Sequence, residues 1–270
     1  MKHLAIFCVN YNSYGILDKY LRSIDDNAIC LKETAKVDVF IADNTVDNIN
    51  TIQTAPYKGI SRIQLFSFHK NLGYFKAIYQ MMLSVDTGIY DYVIISNVDM
   101  TLRPDTLSNL VKSNYPQNTG WIAPAIIAKE SGKDLNPQAV TRYTATKLRI
   151  MRWFYRIPMA YNIYLHTFHI LRRKQMQRHK PGRIYAGHGS FIILTKEYMS
   201  RCGIIDFPVF LYCEEIYIAE ECLQHKLDVV YNPAIVIDDI GKISTGKAKK
   251  NLYYQWNIEG LTYVLNKYYH

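Results

Sequence analysis

Five stretches of the chain carry apolar and β-branched residues in runs too short for helices: "HLAIFCVN" (3 to 10), "VDVFIAD" (37 to 43), "RIQLFSF" (62 to 68), "DYVIIS" (91 to 96) and "GWIAPAII" (120 to 127). Each predicts a strand. Between them the apolar positions change period. Ile16, Leu17, Tyr20, Leu21 and Ile24 fall on one helical face, and Phe75, Ile78, Tyr79 and Met82 on another. Pro104 sits where a first helical turn would begin, ahead of "DTLSNLVKS". Strands alternating with helices predict βαβ units, and so an α/β fold with a mostly parallel, Rossmann-like sheet flanked by helices. Such sheets bind ligands in the crevice beyond the carboxyl ends of their strands.

Polar residues collect at those ends. The first strand runs into "NYNS", the second into "ADN" (Asp43, Asn44), the third into "HKNLG" and the fourth into "NVD" (Asn97, Val98, Asp99). Taken singly, each Asn or Asp reads as a turn former or helix cap. Four in succession at one sheet edge describe a polar rim on which a nucleotide would lie.

Downstream, "RIYAGHGSFIILTK" places Gly187, His188, Gly189 and Ser190 ahead of an apolar strand. Small residues there admit a ligand close to the backbone, or mark a bulge. "GIIDFPVFLYCEEIYIAEECLQHK", "LDVVYNPAIVIDDIG" and a Tyr-rich amphipathic helix, "NLYYQWNIEGLTYVLNKYY", complete the chain. No internal repeat or low-complexity tract is visible.

Charge changes the picture in one place. Of the 32 Lys and Arg residues, eleven lie between Arg142 and Arg183, a stretch with no Asp or Glu. The rest of the chain holds 21 basic against 23 acidic residues, so the whole net charge of +9 belongs to that segment. Its basic clusters flank an apolar, aromatic middle from Ile157 to Leu171, interrupted by Pro158. Those fifteen residues are too few for a bilayer span, which needs about 20. They suit a segment lying flat on an anionic membrane, with Trp153, Phe154 and Tyr161 in the interface, or a helical insertion with a solvated basic face.

At 270 residues, 49% of them apolar and 20% charged, the chain is globular. The expected organisation is one domain, 1–270: an N-terminal half (1–128), a basic helical insertion (139–183), a second half (184–245) and a C-terminal helix (246–270). That helix packs on its own domain or on a second subunit, so an oligomer is possible. "MKHLAIFCVNYN" has no cleavage site for a signal peptide, so a cytoplasmic protein is expected. Five cysteines without a CxxC pair argue against a disulfide framework. Cys222 and His225 make only half of a zinc site, and helix packing explains them as well.

"NYN", "ADN", "NLGY", "SNVDM", "GSFIILTKEY" and "IIDFPVFLYCEEIYIAEEC" follow in order the landmarks of family 2 glycosyltransferases of the GT-A fold. The chain most resembles the bacterial rhamnosyltransferase-like branch of O-antigen and capsule synthesis. The resemblance covers about residues 3 to 245, leaves the insertion and the C-terminal helix outside it, and implies that 1–128 is the nucleotide-sugar-binding half and 184–245 the acceptor and catalytic half.

It implies an inverting, metal-dependent transfer of a sugar from a nucleoside-diphosphate sugar to a hydroxyl of a glycan acceptor, and the basic segment fits an acceptor attached to a membrane lipid. Asp99 resembles the last carboxylate of the family's DxD-type metal motif, here Asn97-Val98-Asp99. Hard oxygen ligands suit Mg²⁺ or Mn²⁺. Asp43 resembles the acid that hydrogen-bonds the nucleotide base, and Asn10, Asn12 and Asn71 match positions near the nucleotide. Lys76 stands where the family has a small residue, and either reaches a phosphate or is an exposed helix lysine. Glu214 and Glu215 resemble the family's Glu-Asp pair, whose second member takes the proton from the acceptor. Glu215 is therefore the candidate base, one methylene longer than the family's Asp, and Glu214 the residue that orients acceptor or sugar. Two exposed acids on a helix that also carries Glu220 and Glu221 are the bland alternative. Asp238 and Asp239 stand where relatives carry a histidine near metal and diphosphate, with Asp239 the second candidate metal ligand. Asp206 matches the acid of a loop turn.

With its basic segment on anionic lipid (residues 142–183), such an enzyme would be peripheral, on the inner face of the plasma membrane. The departures at Glu215 and Asp239 also fit a degenerate nucleotide-sugar-binding scaffold of a polysaccharide assembly complex. A nucleic-acid surface on the basic segment leaves the carboxylate series unexplained, and no nucleic-acid partner is expected.

Overall fold

The computed structural model describes residues 1–31, 33–47, 57–157, 179–241 and 250–269. β1 (Lys2–Asn10) lies deep in the sheet. Leu4 to Cys8 have no exposed surface at all, because the strand is covered on both faces. Alternation then sorts its side chains: Ala5 and Phe7 join one core, Leu4, Ile6 and Cys8 the other.

β2 (Ala35–Asp43) and β4 (Tyr92–Asn97) flank β1, and β3 (Arg62–Ser67) pairs with β2, all in parallel. The connecting helices are α1 (Tyr14–Ile29) and α2 (Phe75–Met82). On α1, Leu17, Tyr20, Leu21 and Ile24 are buried at helical spacing as predicted, while Ile16 is only half-buried. A fully buried side chain of this size stabilises the fold by about 1.5–3 kcal/mol. β5 (Met100–Leu102) precedes α3 (Thr106–Lys112). The helix begins two residues after Pro104, not at it, because Asp105 takes a left-handed φ of 64°.

The second half breaks the parallel pattern. β6 (Thr119–Ala128) does not join β4 directly; β8 (Phe191–Thr195) enters between them, antiparallel to both. β9 (Asp228–Asp239) runs parallel to β6, with β5 and β7 (Gly182–Ile184) antiparallel to β9. The sheet order is β3-β2-β1-β4-β8-β6-β9-β5, with β7 pairing to β9 off that path. An α/β fold with a mostly parallel mixed sheet flanked by helices is the result.

α4 (Ala145–Arg156), α5 (Lys196–Cys202), α6 (Glu214–Gln224) and α7 (Lys250–Tyr268) complete the chain. α7 packs on its own domain, through Leu261, Val264, Leu265 and Tyr268. Of the basic segment, the apolar middle beyond Ile157, with Tyr161, and the cluster at residues 172–178 lie outside the described residues. Its two ends are tied to the fold. Arg142 pairs with the buried Glu220 and Arg183 with Asp228. No helix among the described residues is long and apolar enough to cross a membrane.

Candidate active site

A cleft of about 530 Å³ opens at the carboxyl ends of β1, β2 and β4. Of the ten residues given candidate site roles, six border it, Asn71, Asn97, Asp99, Glu214, Glu215 and Asp239, together with Val9 and Asn44.

The other four do not line it. Asp43 is buried and takes three donors: Asn10 Nδ2 at 3.1 Å, Thr45 N at 3.1 Å and Tyr14 O–H at 2.8 Å. Asn10 is buried and accepts from Ser13 N through Oδ1. Asn12 is exposed with a left-handed φ of 52°, and its N–H donates to Thr45 Oγ1. These three residues brace the ends of β1 and β2 from behind the cleft. Lys76 is exposed on α2 and stands away from it. The neighbour of Asp43 takes its place at the rim: Asn44 donates through Nδ2 to Gly73 O (2.8 Å) and Asn71 Oδ1 (3.3 Å). Gly73 holds this loop against the strand of chain before α6. Its φ is +83°, and a Cβ there would sit 2.3 Å from Phe210 O.

The two aspartates nominated as metal ligands, Asp99 and Asp239, are 140 residues apart in sequence and border the same cleft. Antiparallel pairing sets Met100 opposite Asp239 and Thr101 opposite Asp238, and Ile240 N donates to Asp99 O at 3.0 Å. Because neighbouring strand residues point to opposite faces, the adjacent aspartates part company. Asp238 turns outward to Arg103 (2.7 Å), whereas Asp239 faces the cleft and accepts from Gly241 N. Among the described residues no group of three or more His, Cys, Asp or Glu could hold a metal alone. Asp99, Asp239 and Asn97 bring to the cleft oxygen donors of the kind that would suit a hard divalent cation. His188 also borders the cleft, its N–H donating to Asn136 Oδ1 at 2.7 Å and its Nδ1 2.8 Å from Ser190 Oγ. Of the small residues beside it, Gly187 serves packing: a Cβ would lie 2.8 Å from the Trp121 ring.

Across the cleft, α6 starts from a strained turn. Tyr212 and Cys213 both have left-handed φ, 75° and 68°, uncommon for residues with a Cβ. Glu214 fastens the turn by accepting from Tyr212 N at 2.8 Å. Burial, and secondly the neighbouring Glu215, push the Glu214 carboxyl up to about 8, against the pull of its backbone donors. Burial also raises Glu215, which keeps partial solvent contact. At neutral pH the Glu214 carboxyl is therefore mostly protonated.

The view of these acids as an exposed helix face is corrected. Glu214, Glu220 and Glu221 are all buried. Glu220 accepts from Tyr185 O–H (2.6 Å), Tyr269 O–H (2.7 Å) and Arg142 (2.7 and 2.9 Å), and Glu221 from Tyr268 O–H and Lys267. The C-terminal end of α7 thus grips the helix that carries the candidate base. At Gly260 the two come close: a Cβ would lie 2.9 Å from Cys213 Sγ.

The remaining wall is one that motif reading missed. Met151 and Tyr155 of α4, Tyr212, and Tyr253, Asn257 and Leu261 of α7 close the cleft. Phe210 stacks on Trp256 (4.6 Å between centroids), and Tyr253 meets Tyr212 (5.0 Å) and Tyr155 (5.8 Å). The density of aromatic residues in the last helix was the available signal.

The sequence matches no family model and no curated protein. The fold has solved counterparts. A structure of GalNAc-T7 with UDP, GalNAc and Mn²⁺ superposes with a TM-score of 0.62 at 13% identity, covering 98% of this chain and 48% of that one. The mannosyltransferase PcManGT from Pyrobaculum calidifontis, in complex with GDP-Man and Mn²⁺, gives 0.57 at 13% identity, covering 97% and 74%. The chain spans about half the length of the GalNAc-T7 structure. Such likenesses establish the fold, which is that of the GT-A glycosyltransferase structures.

Proposed function

We propose that the protein is a glycosyltransferase that moves a sugar from a nucleoside-diphosphate donor to a hydroxyl of a glycan acceptor, with inversion at the anomeric carbon. The observation that carries this reading is the meeting, in one cleft of a GT-A fold, of Asp99 and Asp239 on one side with the raised carboxyl pair Glu214 and Glu215 on the other.

The rim residues Asn44 and Asn71 take the nucleotide, with Asp43, Asn10 and Asn12 holding the strand ends that present them. Asp99, Asp239 and Asn97 would hold Mg²⁺ or Mn²⁺, which when bound offsets the negative charge of the leaving diphosphate. Glu215 accepts the proton of the acceptor hydroxyl as that oxygen bonds to C1 and the C1–O bond to the diphosphate breaks. A carboxylate raised by burial is a stronger base near neutral pH than an ordinary one. Glu214, protonated, keeps the Tyr212 turn closed and gives the site a neutral hydrogen-bond donor. The aromatic wall suits the apolar face of an acceptor sugar. On its motifs we place the chain with family 2, in the rhamnosyltransferase-like branch that builds bacterial surface polysaccharide, with a lipid-linked glycan as acceptor.

The test is a thermal-shift series with UDP, GDP, dTDP and CDP and their sugars, each with and without Mn²⁺ or Mg²⁺, on the wild type and Asp99→Ala. A nucleotide at a hundredfold excess over its Kd adds about 2.7 kcal/mol, or roughly 5 °C or more for a chain of this size. The reading expects one nucleotide to give that shift only with metal, and Asp99→Ala to lose it. No shift under any condition would sink it.

A further inference from the structure

α4 has two faces with different employment. At about 100° per residue, Leu148, Met151 and Tyr155 fall together, and they point inward: Leu148 is fully buried, while Met151 and Tyr155 line the cleft. Arg152, beside them, reaches Thr262 of α7. On the opposite side Ile150, Trp153 and Ile157 form a second stripe, spaced i, i+3, i+7. These three large apolar side chains are 50%, 52% and 39% exposed. Arg149 and Arg156 border the stripe on one edge and Lys147 on the other, all exposed. The segment that contains them has no acid from Arg142 to Arg183. Arg156 also lines an open cleft between α4 and α7, where Glu259 accepts from Gln255. That outer cleft shares Tyr155 with the active-site cleft.

A solvated helix face carries Lys and Arg without a Trp and two Ile between them; a protein-binding face of this charge would need an acidic partner with an apolar ridge. A row of indole and branched aliphatic side chains fringed by guanidinium groups matches an anionic bilayer surface, apolar groups entering the acyl boundary and cations meeting the headgroups. We propose that the outer face of α4 docks the protein flat on an anionic membrane through Ile150, Trp153 and Ile157, with Arg149 and Arg156 on the lipid phosphates. The same helix thereby stands between the bilayer and the active-site cleft. A substrate anchored in that membrane by a lipid would reach the cleft past Tyr155 without leaving the surface. This last step rests on the glycosyltransferase reading; the docking surface does not.

Vesicle sedimentation tests it on the full chain, with phosphatidylglycerol-rich and pure phosphatidylcholine vesicles. Binding to the anionic vesicles is expected, weakening with salt. Arg149→Gln and Arg156→Gln each weaken it about five-fold, at about 1 kcal/mol per surface cation. The triple variant Ile150→Ser/Trp153→Ser/Ile157→Ser weakens it roughly ten-fold or more, and its folded state is checked by its melting transition because the three are about half covered. In the wild type, lipids brominated near the headgroup quench Trp153 fluorescence, while the Trp153→Phe variant keeps only the unquenched emission of Trp121 and Trp256. Equal binding by the triple variant, no quenching, or tighter binding to RNA than to anionic vesicles overturns the proposal. The nucleotide thermal shift of the triple variant is read separately. Lost vesicle binding with the shift intact supports the docking surface, and lost vesicle binding with no nucleotide shift in wild type or variant supports it while sinking the transferase reading.

Discussion

Glu214→Gln isolates the effect of burying a carboxyl at the start of α6. The amide keeps the shape and the oxygen that accepts from Tyr212 N, and removes the titration. In the wild type the folded state holds the Glu214 proton up to about pH 8, whereas an ordinary glutamate releases it near 4.5. The folded pKa is the raised one. The stabilising contribution of the proton is therefore complete below about pH 4.5, falls as pH rises between 4.5 and 8, and is gone above 8. At about 1.36 kcal/mol per pH unit, the full loss is about 4–5 kcal/mol, an upper figure because water entering the cleft would soften it. Urea unfolding at a series of pH values, without metal or nucleotide, measures the difference between variant and wild type, in which the other titrating groups largely cancel. The variant's advantage should grow by several kcal/mol from about pH 5 to about pH 8 and then level off. Parallel stability curves for the two proteins over that window would refute the argument that burial holds Glu214 protonated.

Glu215→Gln should lower turnover by about 10²–10⁴-fold, the usual worth of a general base, while leaving the metal-dependent nucleotide shift in place; substantial residual turnover would move the base elsewhere. Asp239→Ala should abolish that shift, whereas Asp238→Ala, which loses only its exposed pairing with Arg103, should preserve it; equal losses would contradict the division of roles between the two. Gly73→Ala should cost about 2 kcal/mol or more, since a Cβ at φ +83° meets Phe210 O at 2.3 Å, and a melting temperature equal to wild type would show that the loop yields.

Much of the fold was legible because period is a local property. The five predicted strands sit within two residues of the observed ones, since an apolar run covered on both faces, as in Leu4 to Cys8, has no other stable use. The polar ends of the second, third and fourth strands border the cleft through Asn44, Asn71, Asn97 and Asp99, as a parallel sheet delivers its carboxyl ends to one edge, whereas Asn10 and Asn12 of the first do not. The insertion of β8 between β4 and β6 was not legible, because pairing between residues some 100 positions apart leaves no trace in either strand's own pattern.

Within the site the same boundary holds. Residue types and their order nominated Asp99, Glu214 and Glu215. Their neighbours were sorted only by tertiary contacts. Asp238 and Asp239 are identical in kind, and the register of β5 on β9 turns one to Arg103 and the other to the cleft. Asp43 and Asn44 are adjacent, and the donors Asn10, Thr45 and Tyr14 claim the first for the framework. Gly260 of α7, far along the chain, lies against the Tyr212–Cys213 turn that presents Glu214. A sequence specifies which faces an element owns; which face meets a partner, and so which carboxyl loses its water and which arginine keeps it, is set when distant elements pack.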